Sequence, residues 1–181
     1  NLSEADKKAI NAFLIKNQIT RAGAIKYLGR LTSSITVLIG SDFHNGSIYS
    51  LCSPDPVRED GLPIRPMAQQ KSLWSIFERI PDRLTKKPKV FVVNGEPVDG
   101  GNRHSGGRGL WTTHIGDQIT DFGKCIKIIP YDHLLITRGS PYHVDVDGTN
   151  FEEITAQQLN ADAYRAYGGS GKTDYQANFE V

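Results

Sequence analysis

Residues 35–46 read Ile35-Thr36-Val37-Leu38-Ile39-Gly40-Ser41-Asp42-Phe43-His44-Asn45-Gly46. The β-branched and aliphatic run closed by glycine predicts a buried strand over Ile35–Gly40, and the polar segment behind it predicts a loop at the strand's carboxyl end. The same pattern recurs twice. Val90-Phe91-Val92-Val93 runs into Asn94-Gly95-Glu96-Pro97-Val98-Asp99-Gly100-Gly101-Asn102-Arg103-His104, and Leu134-Leu135-Ile136-Thr137 runs into Arg138-Gly139-Ser140-Pro141-Tyr142-His143. Helical periodicity fills the gaps. Residues 67–80 carry Leu73, Trp74, Ile76, Phe77 and Ile80 as one wide apolar face, with Trp74 and Phe77 read as core. Residues 111–126 place Ile115, Ile119 and Phe122 on one side, and residues 150–159 form a helix capped by Thr149 or Asn150, with Glu152 and Glu153 near its positive end. Strand alternating with helix predicts an α/β fold: a parallel βαβαβ sheet flanked by helices.

Outward from this centre the pattern weakens. Residues 1–32 predict a helical arm, with Ser3 and Thr20 as N-caps and Ile10, Phe13, Leu14, Ile25 and Leu28 turned inward. It reads as a packing arm or linker in preference to half of a DNA-reading module. Residues 33–162 form the α/β domain, and residues 163–181 a glycine-rich flexible tail. Within that tail Ala166-Tyr167-Gly168-Gly169-Ser170-Gly171-Lys172-Thr173 has the loose spacing of a phosphate-binding loop. It lacks the preceding strand and following helix that such a loop needs, so it is expected to be an exposed linker that does not bind ATP.

Composition excludes several classes. Lys+Arg is 21 against Asp+Glu 20, a formal charge of +1, which rules out a strongly basic nucleic-acid coat but leaves room for a local patch such as Arg103, His104, Arg108 and His114. No apolar run reaches the roughly 18 residues of a membrane span, and no secretory leader is visible. Cys52 and Cys125 are the only cysteines, too few for a disulfide scaffold, which points to a cytoplasmic protein. There is no Gly-x-Ser-x-Gly elbow and no Cys-x-x-Cys pair. The chain starts at Asn1 and its single Met is Met67, so it is expected to be a piece of a longer protein.

The chemistry is expected at the strand ends, because ligands of parallel α/β sheets sit outside the carboxyl edge. Asp42 and His44, two residues apart, can turn toward one point. Carboxylates and imidazoles suit zinc, manganese or iron, and a bridging carboxylate suits two such ions about 3.5–4 Å apart, which hold a phosphate and acidify a bound water. Trp111, behind the glycine-rich loop, reads as a cleft border or as core.

Three ordered motifs resemble the calcineurin-like metallophosphoesterases, in the variant found in phage and prophage members, over roughly residues 35–160. Gly40-Ser41-Asp42-Phe43-His44 matches the Asp-x-His motif. Asn94-Gly95-Glu96-Pro97-Val98-Asp99-Gly100 is similar to Gly-Asp-x-x-Asp-Gly, and Arg138-Gly139-Ser140-Pro141-Tyr142-His143 resembles the variant Gly-Thr-Pro-Tyr-His. The resemblance implies two divalent transition ions (manganese, iron or zinc) and hydrolysis of phosphate mono- or diesters, nucleotides and nucleic acid among them. It implies Asp42, His44, Glu96 and Ser140 as metal ligands, and His143 as the acid that protonates the leaving oxygen. Asp99, Asn102, Arg103 and His104 would support the metal or touch substrate. Glu96 is one methylene longer than the usual bridging Asp. The family's later histidine ligands have no counterpart after His143, so the expected site is incomplete and the expected turnover weak or nil, with a non-catalytic packing or partner-binding module as the alternative. No membrane partner is expected.

Overall fold

The structure, a computed structural model, describes residue 8 and residues 35–102, 105–139 and 150–162. The chain divides into two compact units, Asn1–Ile35 with Val181 and Thr36–Glu180. The elements below belong to the second. A parallel sheet runs in the order β1 (Val37–Ser41), β2 (Val90–Asn94), β3 (His133–Thr137). Helices α1 (Ala68–Phe77) and α2 (Ile80–Arg83) join β1 to β2, α3 (Ile115–Ile126) joins β2 to β3, and α4 (Phe151–Gln158) follows β3. This is the α/β class that the strand–helix alternation predicts. Among the described residues no helix is long and apolar enough to cross a membrane.

The register aligns the strands rung by rung, and all three end together: Ser41 pairs with Asn94, and Asn94 with Thr137. Alternation then sorts the side chains. Leu38, Phe91, Val93, Leu134 and Ile136 face α3 and α4, where they join Ile119, Phe122, Cys125, Ile126, Phe151 and Ala156 in the main core. The other face groups Val90, Val92 and Leu135 with Val37.

Three expectations need correction. The first strand lies two residues later at its start than Ile35, and it is not buried: Ile39 is 67% exposed. Among the described residues β1 is an outer strand, so a residue on its far face has a neighbour on one side only. The helix expected over residues 67–80 is broken into α1 and α2. Pro81 is the cause: it has no N–H to donate, and its ring would collide with the carbonyl four residues back, at Phe77, where α1 ends. The wide apolar face of that helix is also largely solvated. Only Gln70 of α1 is buried, while Trp74 and Phe77 pack partly against the core. At α4 the cap is Asn150, whose side chain accepts the Glu153 N–H at 2.9 Å.

Phe43 joins the strand end to the core. Its ring stands edge-on to Phe77, Phe91 and Phe122, with centroids 6.2, 6.4 and 5.2 Å away. Gly40 makes the room, since a Cβ there would lie 2.7 Å from Phe43 Cζ. The middle residue of Asp42-Phe43-His44 is therefore an anchor that fixes its two neighbours. Phe43→Ala should lower stability by about 3–5 kcal/mol in urea unfolding. A loss under about 1 kcal/mol would mean that the ring does not anchor the loop.

Asp117, in the first turn of α3, is buried yet well partnered. It accepts the Glu59 N–H (2.8 Å) and the Thr112 hydroxyl (2.9 Å), and His114 Nδ1 lies 3.1 Å away. Burial pushes its pKa up, but these partners outweigh that and hold it below the ordinary carboxylate value. A group whose pKa falls on folding stabilises the fold fully above its unfolded pKa of about 3.9, and loses that contribution as pH drops through the folded value. Asp117→Asn should therefore cost stability at pH 7, with the gap from wild type narrowing in melting curves taken at successively lower pH, as the carboxylate becomes protonated in the folded protein. A gap that stays the same as the pH falls would contradict this.

Candidate functional site

Because the strands end on one rung, the loops behind β1 and β2 start level, and they go on pairing. The N–H of His44 donates to the Glu96 carbonyl (2.9 Å), that of Asn45 to Pro97 (3.1 Å), and that of Asp99 to the Asn45 carbonyl (2.9 Å). Asn45 and Val98 form a parallel bridge. The two loops thus carry the pairing of β1 and β2 past the strand ends.

The backbone of these loops takes an uncommon conformation. Asp42, His44, Glu96 and Asn102 have φ of 54°, 44°, 40° and 42°, in the left-handed region that side chains other than glycine rarely occupy. Each such residue costs roughly 1–3 kcal/mol unless its surroundings compensate, and these conformations gather at functional sites. Four of the residues selected by their place behind a strand are among the five non-glycine residues with positive φ in the described structure.

The side chains form a series. Asn102 Nδ2 donates to Asp99 Oδ2 at 2.9 Å, and Asp99 Oδ1 lies 3.0 Å from His44 Nδ1. Since a carboxylate only accepts, Nδ1 carries the proton in that contact and Nε2 is the ring's remaining atom for a ligand. Nε2 faces Asp42 Oδ1 at 3.9 Å. That is too long for a hydrogen bond, and within the roughly 4 Å that two donors span when each sits about 2.1 Å from one ion. The hydrogen bond that His44 donates to Asp99 raises the His44 pKa above its ordinary value, burial opposes it, and the Asp99, Glu96 and Asp42 charges add to the rise.

The third loop enters through Gly139. A Cβ there would stand 2.6 Å from Glu96 Oε1 and 2.7 Å from Glu152 Oε1. The absent side chain thus lets the two carboxylates approach the same point. Glu152 and Glu153 stand in the first turn of α4, as the sequence predicts, and Glu152 is 3% exposed beside Glu96. The α4 wheel carries the signal, because Glu152 lies one turn before the fully buried Ala156.

Sequence reading also missed the buried polar groups that hold the loops. Asn45 Nδ2 donates to Asp121 Oδ2 (2.9 Å) and to the Leu51 carbonyl (3.2 Å). Asp121 further accepts the backbone N–H of Ser53 at 3.1 Å and its hydroxyl. Gln118 takes the Gly100 N–H on Oε1 (3.0 Å) and gives Nε2 to the Gly100 and Thr112 carbonyls (2.9 Å each). Both come from α3, so one helix holds both loops. Trp111, left open as cleft border or core, is half-buried, with its indole N–H buried and unpaired.

Cys52 and Cys125 are excluded as nucleophiles. Both are buried, and burial together with the Asp121 charge pushes both thiols far above the ordinary range. Ser140 and His143 of the third motif, Arg103 and His104 of the second loop, the arm, and the Lys172 segment lie outside the described residues. Among the described residues no group of three or more His, Cys, Asp or Glu side chains is arranged to hold a metal ion. His44 and Asp42 fit a divalent transition ion in donor type and spacing; in number they supply two ligands.

No family profile matches the chain, nor does any curated protein or any solved structure.

The strained loop yields a test. The side chain of Asp42 is mostly exposed and its backbone is left-handed, so Asp42→Gly should leave the melting temperature unchanged or raise it. A loss above about 2 kcal/mol would show that the carboxylate holds the loop in place.

Proposed function

We propose that the strand-end cluster belongs to a metal-dependent phosphoesterase site of the calcineurin-like kind, acting on phosphate mono- or diesters, nucleotides and nucleic acid included. The supporting observation is the series Asn102–Asp99–His44–Asp42, in which a buried carboxylate orients a histidine whose Nε2 faces a second carboxylate. Histidine ligands are commonly braced in this way, with the outer carboxylate fixing ring and tautomer. Asp42 and His44 would hold the ion, with the Glu96 carboxylate of the next loop as a further donor. When bound, manganese, iron or zinc supplies charge to hold a phosphate and to acidify water. The chain's own residues supply the rest. Asp99 accepts from Nδ1 and so fixes the ring with Nε2 toward Asp42, and Asn102 fixes Asp99. Ser140 as a further ligand, and His143 as proton donor to the leaving oxygen, come from the resemblance alone.

One observation favours the second reading, a non-catalytic packing or partner-binding module: the described residues bring only two well-spaced donors to one point. Titration calorimetry with manganese separates the two readings. Under the phosphoesterase reading the chain binds manganese, Asp42→Ala and His44→Ala each weaken binding by at least about tenfold, and slow hydrolysis of bis-p-nitrophenyl phosphate depends on the metal. Absence of manganese binding, or of any metal-dependent turnover, would leave the module reading.

A further inference from the structure

Helix α1 carries an apolar surface that the core does not use. Leu73 is 39% exposed and Ile76 57% exposed, and Tyr49 across from them is 66% exposed. With Phe77 and Ile80 they line a cavity of about 300 Å³ whose wall also includes Ser41, Asp42 and Ser50. One residue therefore belongs both to the candidate metal cluster and to the wall of an apolar pocket.

We infer that this pocket receives a planar aromatic group, the organic part of the ester whose phosphate sits at the strand ends. The inference rests on the phosphoesterase reading for the ester and on the pocket's own geometry for the ring. Its volume is at the lower end of the roughly 300–1,000 Å³ of small-molecule sites, enough for one or two rings and too small for a helix. Its walls are aliphatic and aromatic, and Tyr49 presents an uncovered ring against which a flat group can stack. Leaving three large apolar side chains together in water is unfavourable, and a ring laid over them removes that surface from solvent. Asp42 both lines the pocket and lies 3.9 Å from His44 Nε2, so a ligand anchored at the cluster by its phosphate has Leu73 and Ile76 within the same pocket for its remainder.

Two arms keep this inference separate from the catalytic reading. In saturation-transfer NMR without metal, using thymidine and phenol as phosphate-free probes, ring protons should receive saturation from the wild-type chain. They should lose it in Ile76→Asp and in Tyr49→Ala, surface changes that leave the core intact, and keep it in Asp42→Ala. In the second arm, phosphate release is followed from thymidine 5′-monophosphate, phenyl phosphate and methyl phosphate with manganese present. Ile76→Asp should raise KM about tenfold for the ring-bearing esters and leave it within about twofold for methyl phosphate. An effect on the thymidine ester alone assigns a nucleobase, and one on phenyl phosphate alone assigns an aryl group. Absence of ring saturation in wild type, or saturation that persists in both pocket variants, overturns the pocket. Ring saturation without any turnover leaves the pocket standing and removes the phosphoesterase reading instead.

Discussion

Everything at the candidate site depends on three parallel strands ending on one rung. Parallel pairing fixes the level of each strand against its neighbour, and here Ser41, Asn94 and Thr137 share the last level. The chain leaves the sheet from a common edge, so residues far apart in sequence emerge side by side. A slip of one residue in any strand would turn every alternate side chain to the other face, taking Phe91 and Val93 out of the main core. The cost of that slip protects the alignment of the loops.

A level edge does not by itself hold a loop, and the remaining work falls to α3. Its apolar stripe seats Ile119 and Phe122 against the sheet, while Gln118 and Asp121 beside them reach the two loops. A buried carboxylate or amide is unfavourable without partners, and both are supplied with several. Packing and positioning are therefore coupled: a shift of α3 against the sheet would move Asn45 and Gly100 together. In the described residues this rigid support lies under a backbone that is itself strained.

Much of this was legible in the sequence. Three runs rich in Val, Ile and Leu marked the strands to within a residue or two, because β-branched and aliphatic side chains fit a pleated sheet. Asp42, His44, Glu96 and Asp99 stood out through their place behind those runs. The pins did not. Asn45, Gln118 and Asp121 are letters that usually face water, and only the folded arrangement shows that water is excluded from them. Ile39 failed in the opposite sense, since a strand's residues look alike whether it lies at the middle or the margin of a sheet. The break before Pro81 was readable, because a proline forbids the bond four residues back. The place of Glu152 in the first turn of α4 was legible, while its burial shows only in the fold.

The left-handed backbone at Asp42, His44 and Glu96 has a consequence for anyone redesigning this chain. A procedure that scores sequences only for fit to their backbone favours glycine or asparagine at each of these positions. It would return a protein that folds at least as well and has no cluster at its sheet edge. The three positions where such a redesign departs most from the natural letters are thus a map of the site, obtainable without a ligand, a substrate or a relative.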